Sequence, residues 1–220
     1  MKVVLYPVIS LVAAVLTVVA CQSEVKTVRL EPIGKIVFDE KGDFVCSSRD
    51  HIEGNLRAKL NKYNRRWSPK TFDYAVDVLL VGEREYMVDH EIILNVMDIE
   101  SNFNTKATRY NTNGTWDRGI CQVNDCNIPE YEQAAAVLKK YNLWYTSPKN
   151  RYDIGLNIMS AYVYFDWSRR ELQKKDQYSE KRHIVSYNCG LSGSNEQDKR
   201  YSYLRKKREM YWERYNKNKL

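Results

Sequence analysis

Two carboxyl side chains, Glu100 and Asp117, have surroundings that suit acid–base chemistry. Glu100 follows Val96 by four residues and Met97 by three, so it continues the apolar stripe of a predicted helix. Desolvation on such a face favours the protonated form of a carboxyl. Asp117 lies in a polar segment, where we expect it to be solvated and ionised. One protonated acid and one carboxylate are the groups that cleavage of a glycosidic bond requires.

These residues must be positioned by a helix and by the segment that follows it. The apolar spacing of residues 87–101 predicts the helix that carries Glu100, and residues 104–118 are predicted to be a polar loop. Ser68-Pro69 indicates a helix start, and we expect that helix to stop near Gly82. Residues 36–38 and 44–46 flank a polar turn and predict a small hairpin. Further helices are predicted at residues 51–66, 130–145, 152–175, 180–188 and 195–217.

The composition favours a mainly α fold. The 220 residues include only 9 Gly and 5 Pro, which is few for an all-β protein rich in turns, and 43% are hydrophobic. The length suits one compact domain with an extension. We predict an N-terminal accessory region at residues 21–85, which contains the hairpin, and a catalytic domain at residues 86–220.

Three short segments, in order along the chain, resemble motifs of the lysozyme-like superfamily. Residues 100–104, Glu-Ser-Asn-Phe-Asn, resemble its catalytic segment. Residues 119–124, Gly-Ile-Cys-Gln-Val-Asn, are similar to its Gly-Leu-Met-Gln or Gly-Ile-Leu-Gln element. Residues 186–190, Ser-Tyr-Asn-Cys-Gly, resemble the Ala-Tyr-Asn-Ala-Gly element of soluble lytic transglycosylases. This third element is missing from c-type lysozymes, so it favours the transglycosylases and implies a lysozyme-like helical fold.

The resemblance implies that Glu100 is the sole catalytic acid and base. The substrate would be a peptidoglycan glycan strand, cut between N-acetylmuramic acid and N-acetylglucosamine. Glu100 would protonate the bridging oxygen and then take the proton of the muramoyl 6-hydroxyl, which closes a 1,6-anhydro ring without water. Asp117 would stabilise charge or fix the turn around it.

Four further residues would bind substrate by the same resemblance. Ser101 would orient the substrate or Glu100, or would only cap its helix. Gln122 and Asn188 would hydrogen-bond the sugar or brace the loop backbone. Tyr187 would place its hydroxyl against Glu100, stack on a sugar ring, or serve as a core ring.

Two other functions stay open on the sequence. A muramidase would use Glu100 as the acid and Asp117 as its partner, and a wall-binding lipoprotein would keep the fold without activity. The chain has 3 His, and none completes a zincin motif or a recognisable metal-ligand spacing. The sequence therefore predicts no metal and no cofactor.

The first twenty residues look like an export signal. Residues 3–19 are almost wholly apolar, and Val-Val-Ala-Cys at residues 18–21 resembles the lipobox of bacterial lipoproteins, in which Cys21 would carry lipid. An uncleaved signal anchor is the alternative. We expect an exported, lipid-anchored protein, at the periplasmic face of the outer membrane if the host is Gram-negative. The resemblance extends to small transglycosylases of secretion systems, so secretion or wall-remodelling machinery is an expected partner.

The predicted export also argues against a nucleic-acid partner. The net charge is +7, but an exported protein would meet anionic cell wall or lipid, so we predict no nucleic-acid partner.

An oxidising compartment favours disulfides among the other four cysteines, with several connectivities open. Cys121 and Cys189 are the first pair to test, because both belong to motifs that line the cleft in the family. The four cysteines are Cys46, Cys121, Cys126 and Cys189.

Overall fold

The computed structural model describes residues 37–38, 44–45, 47–143, 147, 149–194 and 202–218. The predicted export signal at residues 1–20, the lipidation site Cys21, the hairpin turn at residues 39–43 and Cys46 lie outside the described residues.

The described residues form seven helices and five short strands, in agreement with the predicted mainly α, lysozyme-like fold. The helices are α1 (Arg49–Lys62), α2 (Pro69–Tyr86), α3 (His90–Ser101), α4 (Ile128–Lys140), α5 (Ile154–Lys174), α6 (Glu180–Gly193) and α7 (Ser202–Asn218). The strands are β1 (Val37–Phe38), β2 (Phe44–Val45), β3 (Thr108–Tyr110), β4 (Trp116–Arg118) and β5 (Val123–Asn124). In the described part of the chain, no helix is both long enough and apolar enough to cross a bilayer.

Helix α2 begins at the predicted place but runs past Gly82. Ser68 caps its first turn by accepting a hydrogen bond from the Thr71 N–H, and Pro69 follows at the first helical position. The helix continues to Tyr86. Gly82 is needed inside the helix because a Cβ there would lie 2.2 Å from the Tyr162 ring. The expected stop near Gly82 was therefore wrong, since this glycine allows close packing and does not end the helix.

Helix α5 is the centre of the core. Most of its residues are buried, because α2, α4 and α6 pack around it. Its Asp153 cap accepts a hydrogen bond from the Leu156 N–H and fixes where the helix begins. Helix α3 packs on α1, α2, α5 and α7, so the segment that ends in Glu100 is held on several sides.

The predicted polar loop at residues 104–118 contains two strands of a small antiparallel sheet. Strand β4 pairs with β3 and β5, and the register places Asp117 opposite both Arg109 and Asn124. Cross-strand partners lie about 5 Å apart, within reach of a side-chain hydrogen bond. The sequence interpretation missed these strands because they are two or three residues long and alternate little in hydrophobicity.

Candidate active site

A polar cleft of about 240 Å³ lies between the end of α3, the three-stranded sheet and α6. Five of the six residues predicted to act on substrate line it. Ser101 is the sixth, and it does not appear on the cleft wall. The lining side chains are Glu100, Arg109, Asn111, Asp117, Gln122, Val123, Asn124, Asn127, Ser160, Tyr164, Tyr187 and Asn188.

Glu100 is fixed by the way in which its helix ends. Asn102 and Phe103 both adopt positive φ angles, 50° and 59°, and the Phe103 N–H donates to the Met97 carbonyl oxygen. Phe103 is buried against Tyr63 and Trp67, which anchors the turn. The helix therefore ends one residue after the acid, at Ser101.

The surroundings of Glu100 raise its pKa, so it holds its proton more strongly than a free glutamate does. Desolvation raises its pKa most strongly, and the nearby negative charge of Asp117 adds to this effect. Arg109 and the donors on Asn188 and Tyr211 act in the opposite direction, but the net pKa is raised. The Asn188 Nδ2 lies 3.3 Å from the Glu100 Oε1. These donors are placed to stabilise the carboxylate once its proton has left.

Asp117 is buried and fully engaged, which corrects the expectation that it is solvated. Only 7% of the residue is exposed. Its Oδ2 accepts from Arg109 Nη2 at 2.7 Å and from Nε at 3.2 Å, and its Oδ1 accepts from Asn111 Nδ2 at 2.8 Å and Asn124 Nδ2 at 2.7 Å. Four donors on two oxygens leave little acceptor capacity for water or a sugar. Asp117 therefore ties the three strands together.

Ser101 and Gln122 brace the backbone next to the acid. The Ser101 hydroxyl lies 2.7 Å from the Ile120 carbonyl oxygen and 3.0 Å from that of Met97, and its single proton is available to either. Gln122 adopts a φ of 51° and donates from Nε2 to the Gly119 carbonyl oxygen at 2.9 Å. Of the alternatives in the sequence, the geometry favours helix capping for Ser101 and loop bracing for Gln122.

Tyr187 and its neighbour Asn188 contact different parts of the site. The Tyr187 hydroxyl donates to the Cys121 carbonyl oxygen at 2.9 Å, and its ring stacks on Phe165. Of the three alternatives for Tyr187, the structure does not show the hydroxyl against Glu100, and the ring lines the cleft. The side chain that reaches the acid is its neighbour, Asn188.

The expected disulfide between Cys121 and Cys189 is absent. Cys121, Cys126 and Cys189 all carry thiols. Tyr187 faces Cys121, and Cys189 lies two residues further along α6, about 200° around the helix axis. Its Sγ accordingly points back to the Val185 carbonyl oxygen at 3.1 Å. Cys189 therefore points away from the helix face that contacts Cys121.

Asn157 holds the turn at residues 119–122 in place. The sequence interpretation did not single out this residue. Its Oδ1 accepts from the Cys121 N–H at 2.7 Å, and its Nδ2 donates to the carbonyl oxygens of Arg118 and Arg151. Gly119 has a φ of 76°, and a Cβ there would lie 2.5 Å from the Asn157 amide. The glycine is thus required for both its backbone conformation and this close approach.

Other site residues were missed for a shared reason, since their roles arise from contacts between distant segments. Arg109, Asn111 and Asn124 meet at Asp117 because of the strand register. Tyr211 lies on α7, close enough to Glu100 to favour the ionised form of that carboxyl, and no sequence signal indicated this contact. Among the described residues, the groups with metal-ligand geometry lie outside the cleft.

The arrangement supplies one carboxyl that can give and take a proton. A second carboxylate, Asp117, lies nearby, but both of its oxygens already accept hydrogen bonds from an arginine and two asparagine amides. Such a site can protonate a bridging glycosidic oxygen and later accept a proton at the same carboxyl.

Comparison with known proteins identifies the family. A family model described as the transglycosylase SLT domain matches residues 78–211, more than half of the chain. No curated protein and no solved structure gives a significant match. The matched range includes α3, the sheet, the cleft and most of α7 up to Tyr211. The chain therefore belongs to the transglycosylase SLT domain family of lytic transglycosylases that act on peptidoglycan.

Proposed function

We propose that the protein cleaves the β-1,4 bond between N-acetylmuramic acid and N-acetylglucosamine, with Glu100 as both acid and base. The proposal rests on one observation, namely that the two carboxyl groups of the cleft have different surroundings. Glu100 has a raised pKa and faces the cleft, whereas both oxygens of Asp117 are already engaged by four donors. A mechanism with a single working carboxyl fits this contrast better than one with two.

The reaction begins with proton transfer from Glu100. The proton goes to the bridging oxygen, the bond from that oxygen to the muramoyl C1 breaks, and N-acetylglucosamine leaves as the alcohol. Glu100 is then a carboxylate next to an oxocarbenium-like centre. The Asn188 amide and the Tyr211 hydroxyl lie on the side of Glu100 where they favour its ionised form.

The second step returns the proton to Glu100. The carboxylate takes the proton of the muramoyl 6-hydroxyl, and the 6-oxygen forms a bond to C1. This step gives the 1,6-anhydro ring and regenerates the acid, and no water is consumed. A raised pKa suits a group that must be protonated at the start of each turnover.

The muramidase alternative needs a second working carboxylate. A nucleophile or a charge-stabilising partner must present a free oxygen to the sugar or to water. The bidentate contact with Arg109 and the contacts with Asn111 and Asn124 occupy Asp117 instead. These contacts give it a clear role in holding the sheet beside Glu100.

Substitution of Glu100 by Gln tests the proposal. The amide is isosteric but cannot give and reclaim a proton, so we expect cleavage of purified peptidoglycan to fall by about 10²–10⁴-fold. Glu132→Gln removes an exposed carboxylate from α4 and is the matched control, which should cleave as the wild type does. A folded Glu100→Gln variant that retains activity within about tenfold of wild type would overturn the assignment.

We also propose that residues 1–20 are an export signal and that Cys21 anchors the mature protein to a membrane. The support is the apolar run that ends in Val-Val-Ala-Cys. Cys21→Ser should release the protein from membrane pellets and leave its activity on peptidoglycan unchanged. A variant that still pellets with membranes and keeps Met1 would indicate an uncleaved anchor. Secretion or wall-remodelling machinery stays a proposed partner.

A further inference from the structure

A second cluster of polar side chains lies outside the cleft, where α1 meets the first turn of α3. We call it the histidine cluster, and it consists of His51 and Asn55 on α1 and His90 and Glu91 on α3. The ligand-capable atoms of His51, His90 and Glu91 all lie within 4.8 Å of one another. The two imidazole rings meet edge to face, with centroids 5.4 Å apart. None of these residues takes part in the chemistry proposed for Glu100.

A buried carboxylate fixes the tautomer of His90. The His90 Nδ1 lies 2.8 Å from the Glu83 Oε2, and both residues are almost completely buried. The Glu83 Oε1 accepts a hydrogen bond from the Ser47 N–H at 2.8 Å, and its Oε2 also accepts from the His90 N–H at 3.3 Å. Since a carboxylate only accepts, His90 donates from Nδ1, and the Nε2 of its neutral form presents a lone pair to the histidine cluster.

The amide nitrogen of Asn55 stands at the point where three acceptors converge. It lies 3.1 Å from the His90 Nε2, 3.3 Å from the His51 Nε2 and 3.5 Å from the Glu91 Oε1. Because the His90 Nε2 is an acceptor, the Asn55 atom that faces it must be the donor nitrogen. An amide has two hydrogens for these three acceptors, so it satisfies them only in part.

Two imidazole nitrogens and one carboxylate oxygen around a common point are the ligand types that zinc prefers. A carboxylate on the far nitrogen of a histidine is also typical of metal-binding histidines, because it orients the ring and increases its basicity. We propose that His51, His90 and Glu91 bind one divalent transition-metal ion, with Zn²⁺ the best fit, and that Glu83 orients His90.

Metal binding requires the three ligand atoms, which lie within 4.8 Å of one another, to move closer together. Tetrahedral zinc with bonds of about 2.1 Å places its ligand atoms about 3.4 Å apart. The His51 Nε2 and the Glu91 Oε1 are 4.0 Å apart, and their side chains are 55% and 29% exposed, so both can move. Asn55 would rotate out of the centre, and its Oδ1 or a water would be the fourth ligand.

The opposite side of His90 is a weaker candidate. Glu83 and Asp89 also approach its Nδ1. However, their oxygens already accept hydrogen bonds from the backbone N–H groups of Ser47, His90 and Glu91. The ion is therefore assigned to the Nε2 side.

Such an ion would have a structural role. Glu91 and Glu100 are nine residues apart on α3, or about 14 Å along the helix axis, too far for the ion to touch the reacting bond. The ion would join α1 to the start of the helix that carries Glu100. We therefore expect Zn²⁺ to raise the melting temperature of the protein and to be dispensable for the cleavage step.

The test is a calorimetric titration of the purified, chelator-treated full chain with ZnCl₂. We expect one ion per chain. His51→Ala should weaken binding by at least the roughly 10–100-fold that loss of a supporting contact costs at metal sites. His51 is exposed, so this variant should fold normally. Asp50→Asn removes a neighbouring exposed charge on α1 and is the matched control, with wild-type affinity expected.

Two more variants separate this site from the alternatives. Asn55→Asp adds a carboxylate at the centre of the histidine cluster and should tighten Zn²⁺ binding, and Cys126→Ser should leave it unchanged. The Co²⁺ complex should show no sulfur-to-metal charge-transfer band. The proposal is overturned if the wild type shows no saturable Zn²⁺ binding, if His51→Ala binds as the wild type does, or if Cys126→Ser abolishes binding.

Discussion

Replacement of Asp117 by Asn separates a mechanism with one working carboxyl from a mechanism with two. The variant keeps the size of the side chain and one carbonyl oxygen, which can still accept from Asn111 and Asn124. It loses the second oxygen, which accepts from Arg109 at 2.7 and 3.2 Å. The expected damage is therefore a weakened sheet beside an intact Glu100.

The cost in stability follows from the contacts that are lost. Hydrogen bonds to charged groups contribute about 1.5–3 kcal/mol when desolvated. The Arg109 side chain is 52% exposed and can be rehydrated, so the lower part of that range applies. We expect the free energy of unfolding to fall by about 1.5–2 kcal/mol, which lowers the melting temperature by roughly 3–8 °C.

The substitution should also change the pKa of Glu100. The charge of Asp117 raises that pKa, and Arg109 lowers it. Removing the negative charge and leaving the positive one must lower the pKa, so Glu100 loses its proton at a lower pH. The alkaline limb of the pH–rate profile of Asp117→Asn should shift to lower pH. Arg109→Gln should shift it in the opposite direction.

The assay is release of dye from labelled peptidoglycan across a pH series, well below the melting temperature of each variant. At its own optimum pH, Asp117→Asn should stay within about tenfold of wild type, whereas Glu100→Gln should lose about 10²–10⁴-fold. A folded Asp117→Asn variant that is as inactive as Glu100→Gln would refute the reasoning. Shifts of the two pH profiles in the same direction would contradict the assigned charges.

Three further predictions concern stability and thiol reactivity. Because the pKa of Glu100 is raised on folding, its stabilising contribution is full below the ordinary glutamate pKa and is lost as pH rises through the raised value. Glu100→Gln should therefore be more stable than wild type in urea at pH 7, and this difference should vanish below about pH 4. Asn157→Ala leaves the buried Cys121 N–H without its acceptor and should cost about 1–3 kcal/mol, seen as a lower urea midpoint with an unchanged slope. Alkylation of the native protein should label the exposed Cys126 rapidly and the buried Cys121 only after unfolding, and a Cys121–Cys189 bridge found by peptide mapping would contradict the structure.

Much of the helical framework could be predicted from local sequence. Ser68-Pro69 and the apolar stripe before Glu100 carry their information within a few residues, so the start of α2 and the course of α3 were predicted correctly. The end of α2 was not, because Gly82 is explained only by the Tyr162 ring, which lies 80 positions away in the sequence. A glycine inside a helix and a glycine that ends one look alike in sequence.

The candidate site was also predicted correctly where local sequence was sufficient and missed where contacts between distant segments decide. Its three motifs contain Glu100, Gln122, Tyr187 and Asn188, and all four residues line the cleft. The burial of Asp117 could not be predicted, because its donors come from β3, β5 and the loop between β3 and β4 and meet only in the paired register. The proximity of Tyr211 to Glu100 depends on how α7 packs on α3, for which the sequence offers no pattern.

The chemical nature of the new glycan ends tests the central claim most directly. Purified protein is incubated with purified peptidoglycan, and the released muropeptides are identified by mass spectrometry. If Glu100 acts alone as acid and base, the products carry 1,6-anhydro-N-acetylmuramic acid ends, and Glu100→Gln releases none. Products with reducing N-acetylmuramic acid ends, each heavier by one water, would show hydrolysis and contradict the account.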